Sequence, residues 1–176
     1  MVIRNKKGQV MGIPFQMIFS LILIAIFIYA AFTGISYFLE RGEQVKLVRF
    51  VTEFEAKVNT IWQATDAEQR FTFDLPKRID EVCFGDLSKP SPYNICPDFE
   101  IYRAQAALRG ANMFFCPPIE ATKIGADAYY KIDCNGYDCL GIEGFGGGYY
   151  CVQNKDGQVA ITLKKDLGSP TVIIFD

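Results

Sequence analysis

Six cysteines carry the most definite chemistry of this chain: Cys83, Cys96, Cys116, Cys134, Cys139 and Cys151. All of them follow the apolar stretch Ile13–Leu39, and none lies inside it. An even number of cysteines beyond such a segment reads as up to three disulfides formed in an oxidising compartment. The connectivity stays open. Cys134 and Cys139 are the best short-loop pair, because Asn135-Gly136 can turn the chain between them. Buried free thiols are the alternative. Zinc is a poorer reading, since no Cys-x-x-Cys occurs and the chain has no His.

The rest of the inventory argues against catalysis. Without His, neither a Ser-His-Asp triad nor a Cys-His dyad can be built. Gly141–Gly148 is glycine-rich, but no Lys-Ser or Lys-Thr follows, so it reads as a surface loop rather than a phosphate loop. Asp133 and Asp138 bracket a turn and read as a solvated turn before a cation site. No Asn-x-Ser/Thr triplet marks a glycosylation site. The expectation is a protein that is not an enzyme, with no catalytic residue, no cofactor and no bound metal. All 20 acids and 15 of the 18 bases follow Leu39, a balance of −5 without an evident basic stripe, so nucleic acid is not an expected partner.

The elements that hold these residues begin with Ile13–Leu39, which contains no Asp, Glu, Lys or Arg. As an α-helix it would span roughly 40 Å, enough for a bilayer core of about 30 Å. Only a helix or a closed barrel satisfies backbone polar groups in lipid. Arg4, Lys6 and Lys7 precede the stretch, and the opposite flank is mixed: Glu40, Arg41, Glu43, Lys46, Arg49. The positive-inside rule then predicts a cytoplasmic N-terminus and an extracytoplasmic head in the cell membrane. Gln16 is the strongly polar side chain of the span, with Ser20 four residues on; both are candidate contacts to a neighbouring helix. Ala30 and Gly34 form a small-x-x-x-small pair that permits close helix approach.

Periodicity carries the helix past the membrane. Leu47, Phe50, Val51, Phe54, Val58, Ile61 and Trp62 form one apolar stripe of period 3.6. Lys46, Arg49, Glu53 and Lys57 fall on the other side, where Arg49/Glu53 and Glu53/Lys57 are i,i+4 pairs. One helix from near Pro14 to about Gln63 is expected, with Gly42 as a candidate joint. Beyond it, Phe71, Phe73 and Leu75 alternate as a strand that Pro76 ends. Short strands follow at Ile79–Phe84, Asn112–Cys116 and Ala128–Ile132, and Ile101–Arg109 is helix or strand. Tyr149–Gln153 and Gln158–Leu163 flank Asp156-Gly157 and predict a hairpin, with a last strand at Thr171–Phe175. The expected fold is α+β. It comprises a basic leader (1–12), a transmembrane helix (13–39), its amphipathic continuation (40–66) and a mostly antiparallel β-rich head (67–176).

Lys6-Lys7-Gly8-Gln9, followed by the long apolar helix, resembles the class III signal region of archaeal type IV pilins and related pilin-like proteins. The resemblance covers about Met1–Leu39 and the general plan of an N-terminal helix bearing a β-rich head. It implies that a prepilin-type peptidase cuts between Gly8 and Gln9. It also implies that the mature helix finds protein partners as a homo-oligomer or filament, or waits in the lipid bilayer. The third and fifth positions after the cut are Met11 and Ile13, where the family often has Ser and Glu. Without that carboxylate, a minor subunit or a membrane-held pseudopilin is the better expectation than a major filament subunit. The alternative is an unprocessed signal anchor that displays an extracytoplasmic binding or scaffold module.

Overall fold

The computed structural model describes residues 12–90, 95–142 and 148–175. Gly8, Gln9 and the rest of the expected leader through Met11 lie outside them, as does most of the glycine-rich stretch. Helix α1 spans Gly12–Gln63, and Gly42 lies within it. The chain divides into two compact units, Met1–Glu40 and Arg41–Asp176.

In the first unit, the residues of α1 from Phe15 to Leu39 are exposed, with only Gly34 partly covered. The helix is long and apolar enough to cross a membrane by length and composition. Its serine and threonine hydroxyls bond back along it. Ser20 Oγ donates to Gln16 O at 2.9 Å, Thr33 Oγ1 to Tyr29 O at 2.9 Å, and Ser36 Oγ to Phe32 O at 3.1 Å.

The second unit is an α+β fold around two four-stranded sheets. The first has the order β1 (Ala67–Asp74), β7 (Gln158–Lys165), β8 (Val172–Phe175), β5 (Leu140–Ile142). The second has the order β4 (Tyr129–Tyr130), β3 (Met113–Cys116), β2 (Glu81–Gly85), β6 (Tyr149–Gln153). Every pairing is antiparallel except β5 with β8. Among the described residues, two short helices complete it, α2 (Phe99–Leu108) and α3 (Pro118–Lys123).

The stripe on α1 is the core face of the helix. Leu47, Phe50, Val51, Phe54, Val58 and Ile61 are buried against Phe73, Val159, Ile161, Leu163, Val172 and Ile174 of the first sheet. The same core takes Val82, Phe84, Met113, Phe115, Tyr150 and Val152 from the second sheet. Each such side chain contributes about 1.5–3 kcal/mol relative to exposure. Phe54 meets Phe84 at 5.0 Å and Phe50 meets Phe73 at 5.5 Å between ring centroids. The opposite face of the second sheet builds a second core, where Cys83, Phe114, Cys116 and Tyr149 pack with Phe99 and Ala106 of α2. A sheet covered on both faces loses the in-out alternation, and β3 is buried at all four residues.

Several expectations are corrected. Tyr149–Gln153 and Gln158–Lys165 are strands, and Asp156 (φ 57°) and Gly157 (φ 90°) make a turn closed by an antiparallel bridge between Lys155 and Gln158, but the two strands do not pair along their length as a hairpin. β6 pairs with β2 and β7 pairs with β1 and β8, so the turn is a corner between sheets. Strand periodicity specifies a face and not a partner. Ile101–Arg109 resolves as helix, within α2. Pro117-Pro118 ends β3 but also starts α3, because Pro118 lies in the first turn, where its missing N–H costs nothing. The glycine-rich stretch opens with strand β5 rather than being loop throughout. β1 begins at Ala67, four residues before the alternation becomes visible.

Candidate functional site

All six cysteines are paired. The disulfides are Cys83–Cys151, Cys96–Cys116 and Cys134–Cys139. Cys83 and Cys151 face each other in the β2–β6 register, with a Cα–Cα distance of 4.0 Å. Asn154 N donates to Asp80 O at 2.7 Å, which sets the phase of this ladder and makes Cys83–Cys151 a non-hydrogen-bonded pair. Such pairs bring side chains closest, which is why a bridge fits there. Cys96–Cys116 ties the segment before α2 to the end of β3. Cys134–Cys139 closes a turn in which Asn135 and Gly136 take positive φ, 54° and 86°. Asp133 Oδ1 accepts from Gly136 N at 3.0 Å and Asp133 Oδ2 lies 3.6 Å from Lys131 Nζ, so this carboxylate shapes its own turn.

Of the residues expected to contact a neighbouring helix, Gln16, Ser20 and Ala30 are exposed on α1 and Gly34 is partly exposed. Ser20 spends its proton on Gln16 O, leaving only its acceptor lone pairs for a neighbour. A Cβ at Gly34 would meet nothing within 4 Å, so the notch is open. Thr33 and Ser36 escaped notice in the sequence, although each follows by four residues the carbonyl it bonds.

The head section of α1 is fastened by polar contacts as well as by its stripe. Gln44 Nε2 donates to Gly125 O at 2.7 Å, and Glu43 Oε2 lies 3.1 Å from Arg78 Nε. Trp62 Nε1 donates to Pro170 O at 3.0 Å, while Lys165 Nζ donates to Trp62 O. On the outer side Arg49 Nε meets Glu53 Oε1 at 2.6 Å, and Lys57 Nζ sits 5.3 Å from the Phe71 ring centroid.

Clefts open on the head among the described residues, and two of them gather polar side chains. One, about 360 Å³, lies beside Asp86, Ser88, Asn112 and Asp138 at the C-terminal end of α2. There the Ser88 hydroxyl and amide, with Lys89, hold the Asp86 carboxyl below its ordinary range. Below it, Tyr149 is buried and its hydroxyl donates toward Asp86 O at 3.1 Å and Lys89 O; burial pushes its pKa up to about 12. The second cleft, about 490 Å³, lies between β6 and the outer face of β1 and β7. No periodicity or motif announced either cleft.

Comparison with protein-family models, curated proteins and solved structures finds no match.

The chemistry of the site therefore rests on its own residues. They provide an apolar helix whose serine and threonine hydroxyls are satisfied within it, and a head held by three disulfides. Glu81, Cys83 and Cys151 lie close enough to share a cation, but both sulfurs are committed to a disulfide.

Proposed function

We propose that the chain is a membrane-anchored, non-catalytic subunit of pilin-like or pseudopilin-like type. Its Gly8–Gln9 bond is the processing site, its N-terminus is cytoplasmic and its head lies outside the membrane. The observation that carries this reading is α1 from Phe15 to Leu39, exposed apolar helix with its serine and threonine hydroxyls bonded internally. Such a surface is poorly suited to water and well suited to lipid or to a bundle of like helices. The three disulfides support an oxidising, extracytoplasmic compartment for the head. In a bundle, Ala30 and Gly34 would allow close approach and Gln16 would supply an interhelical hydrogen bond.

The mature N-terminus tests the reading. Protein purified from its native host should begin at Gln9, free or cyclised, and Gly8→Phe should keep the leader attached. A chain that retains Met1–Gly8 would favour the second reading, a signal-anchored extracytoplasmic binding or scaffold module. Met11 and Ile13, where the pilin pattern often has Ser and Glu, are the observation on that side.

A further inference from the structure

We propose that the free edge of β6 is a docking site for an extended acidic peptide segment, added as a fifth strand to the second sheet. Among the described residues, the strand order β4-β3-β2-β6 leaves one side of β6 without a partner strand. Because Asn154 N bonds Asp80 O, the ladder phase turns Tyr150 and Val152 toward β2 and directs the N–H and C=O of Cys151 and Gln153 outward. Gly85 N bonding Asn112 O on the β3 side gives the same phase. Among the described residues, no backbone group pairs with Cys151 or Gln153 on that side.

This edge looks into the cleft of about 490 Å³, a volume within the range of roughly 300–1,000 Å³ common for ligand clefts. Its other wall is the polar outer face of β1 and β7, with Thr72 and Gln158. The charged side chains lining the cleft are Arg70 and Lys155, both cationic, in a region whose balance after Leu39 is −5. Two carboxyls neighbour the cleft: Asp74, which accepts from Gln158 Nε2 at 3.4 Å, and Glu81, paired in register with Gln153, whose pKa burial and then Asp80 raise. An added strand points alternate side chains to one face, so a Glu-x-Glu pattern would present two carboxylates to the cationic wall while its backbone continues the ladder. Arg70 offers five N–H donors, enough to serve a carboxylate alongside any contact within its own chain. The site belongs to the head and holds for either reading of the anchor.

The test uses the full chain in detergent micelles and a fluorescent capped heptapeptide, Thr-Glu-Val-Glu-Val-Glu-Thr. Saturable binding is expected, with the amide signals of Cys151 and Gln153 shifting on titration. Arg70→Glu and Lys155→Glu should each weaken binding at least about tenfold, a loss of about 1.4 kcal/mol, while Lys46→Glu, an equal charge change on exposed α1, should not. The Glu-to-Gln peptide should also bind at least about tenfold more weakly. A peptide N-methylated at every residue should lose binding, because it cannot complete the ladder in either strand direction. Absence of saturable binding, or equal binding to Arg70→Glu and Lys155→Glu, would overturn the proposal. Equal binding of the N-methylated peptide would also overturn it, leaving a polyanion site without strand addition.

Discussion

Tyr149 shows how much of the head depends on single side chains that periodicity does not mark. It is fully buried, its ring meets Phe99 at 5.6 Å between centroids, and its hydroxyl reaches two backbone carbonyls. Burial raises its pKa to about 12, against an ordinary value of about 10. Between those values the unfolded chain releases the phenolic proton more readily than the folded one. The unfolded state then binds fewer protons, so stability falls as pH rises. The contribution is fully present below about pH 10 and is lost toward about pH 12. Chemical unfolding of the full chain in detergent, followed by the fluorescence of its one tryptophan, should show this decline. Tyr149→Phe should flatten that window while costing about 1 kcal/mol at neutral pH for the lost hydrogen bond. The α1 stripe, by contrast, was legible residue by residue, because a helix repeats its burial every three to four positions. Gly85 was not. A Cβ there would lie 2.5 Å from Gly148 O and 2.7 Å from Tyr149 Cδ1, atoms more than sixty residues away in the chain.

At the scale of elements, the sequence was a good guide to what forms and a poor one to what pairs. The turn at Asp156-Gly157 was readable because Gly tolerates the φ of 90° that the corner requires. That it joins two sheets was not readable, because β6 and β7 each alternate suitably for either partner. The second core was hidden for a related reason: α2 covers a sheet face already rich in apolar residues, so no polar alternation reveals the layer. The disulfides differ in what they restrain. Cys83–Cys151 spans 68 residues of chain and Cys134–Cys139 only 5. Loop-closure entropy assigns about 4 kcal/mol to the first and about 2 kcal/mol to the second. Replacing both cysteines of each pair with Ala should therefore lower the unfolding free energy in that order. Equal losses would show that local packing, rather than restraint of the unfolded chain, dominates at these bridges.

For the whole molecule, orientation and oxidation are one question. The exposed apolar helix and the three disulfides make compatible demands only if the head reaches an oxidising compartment. On the proposed topology, Arg4, Lys6 and Lys7 hold the N-terminus in the cytoplasm against the weaker claim of Arg41, Lys46 and Arg49. Changing Arg4, Lys6 and Lys7 to Ser leaves the basic residues only on the head side of the span. A share of the molecules should then insert with the head in the cytoplasm. Those molecules would meet a reducing environment and keep six free thiols, whereas the parent chain should keep none. Alkylation of intact material without reductant, read by mass spectrometry, would separate the two populations. Protease added to intact cells should digest the alkylation-resistant population and spare the six-thiol one. A variant whose cysteines all remain oxidised, with the head still fully digested from outside, would show that the basic leader does not set the topology. Orientation would then have to come from the head itself.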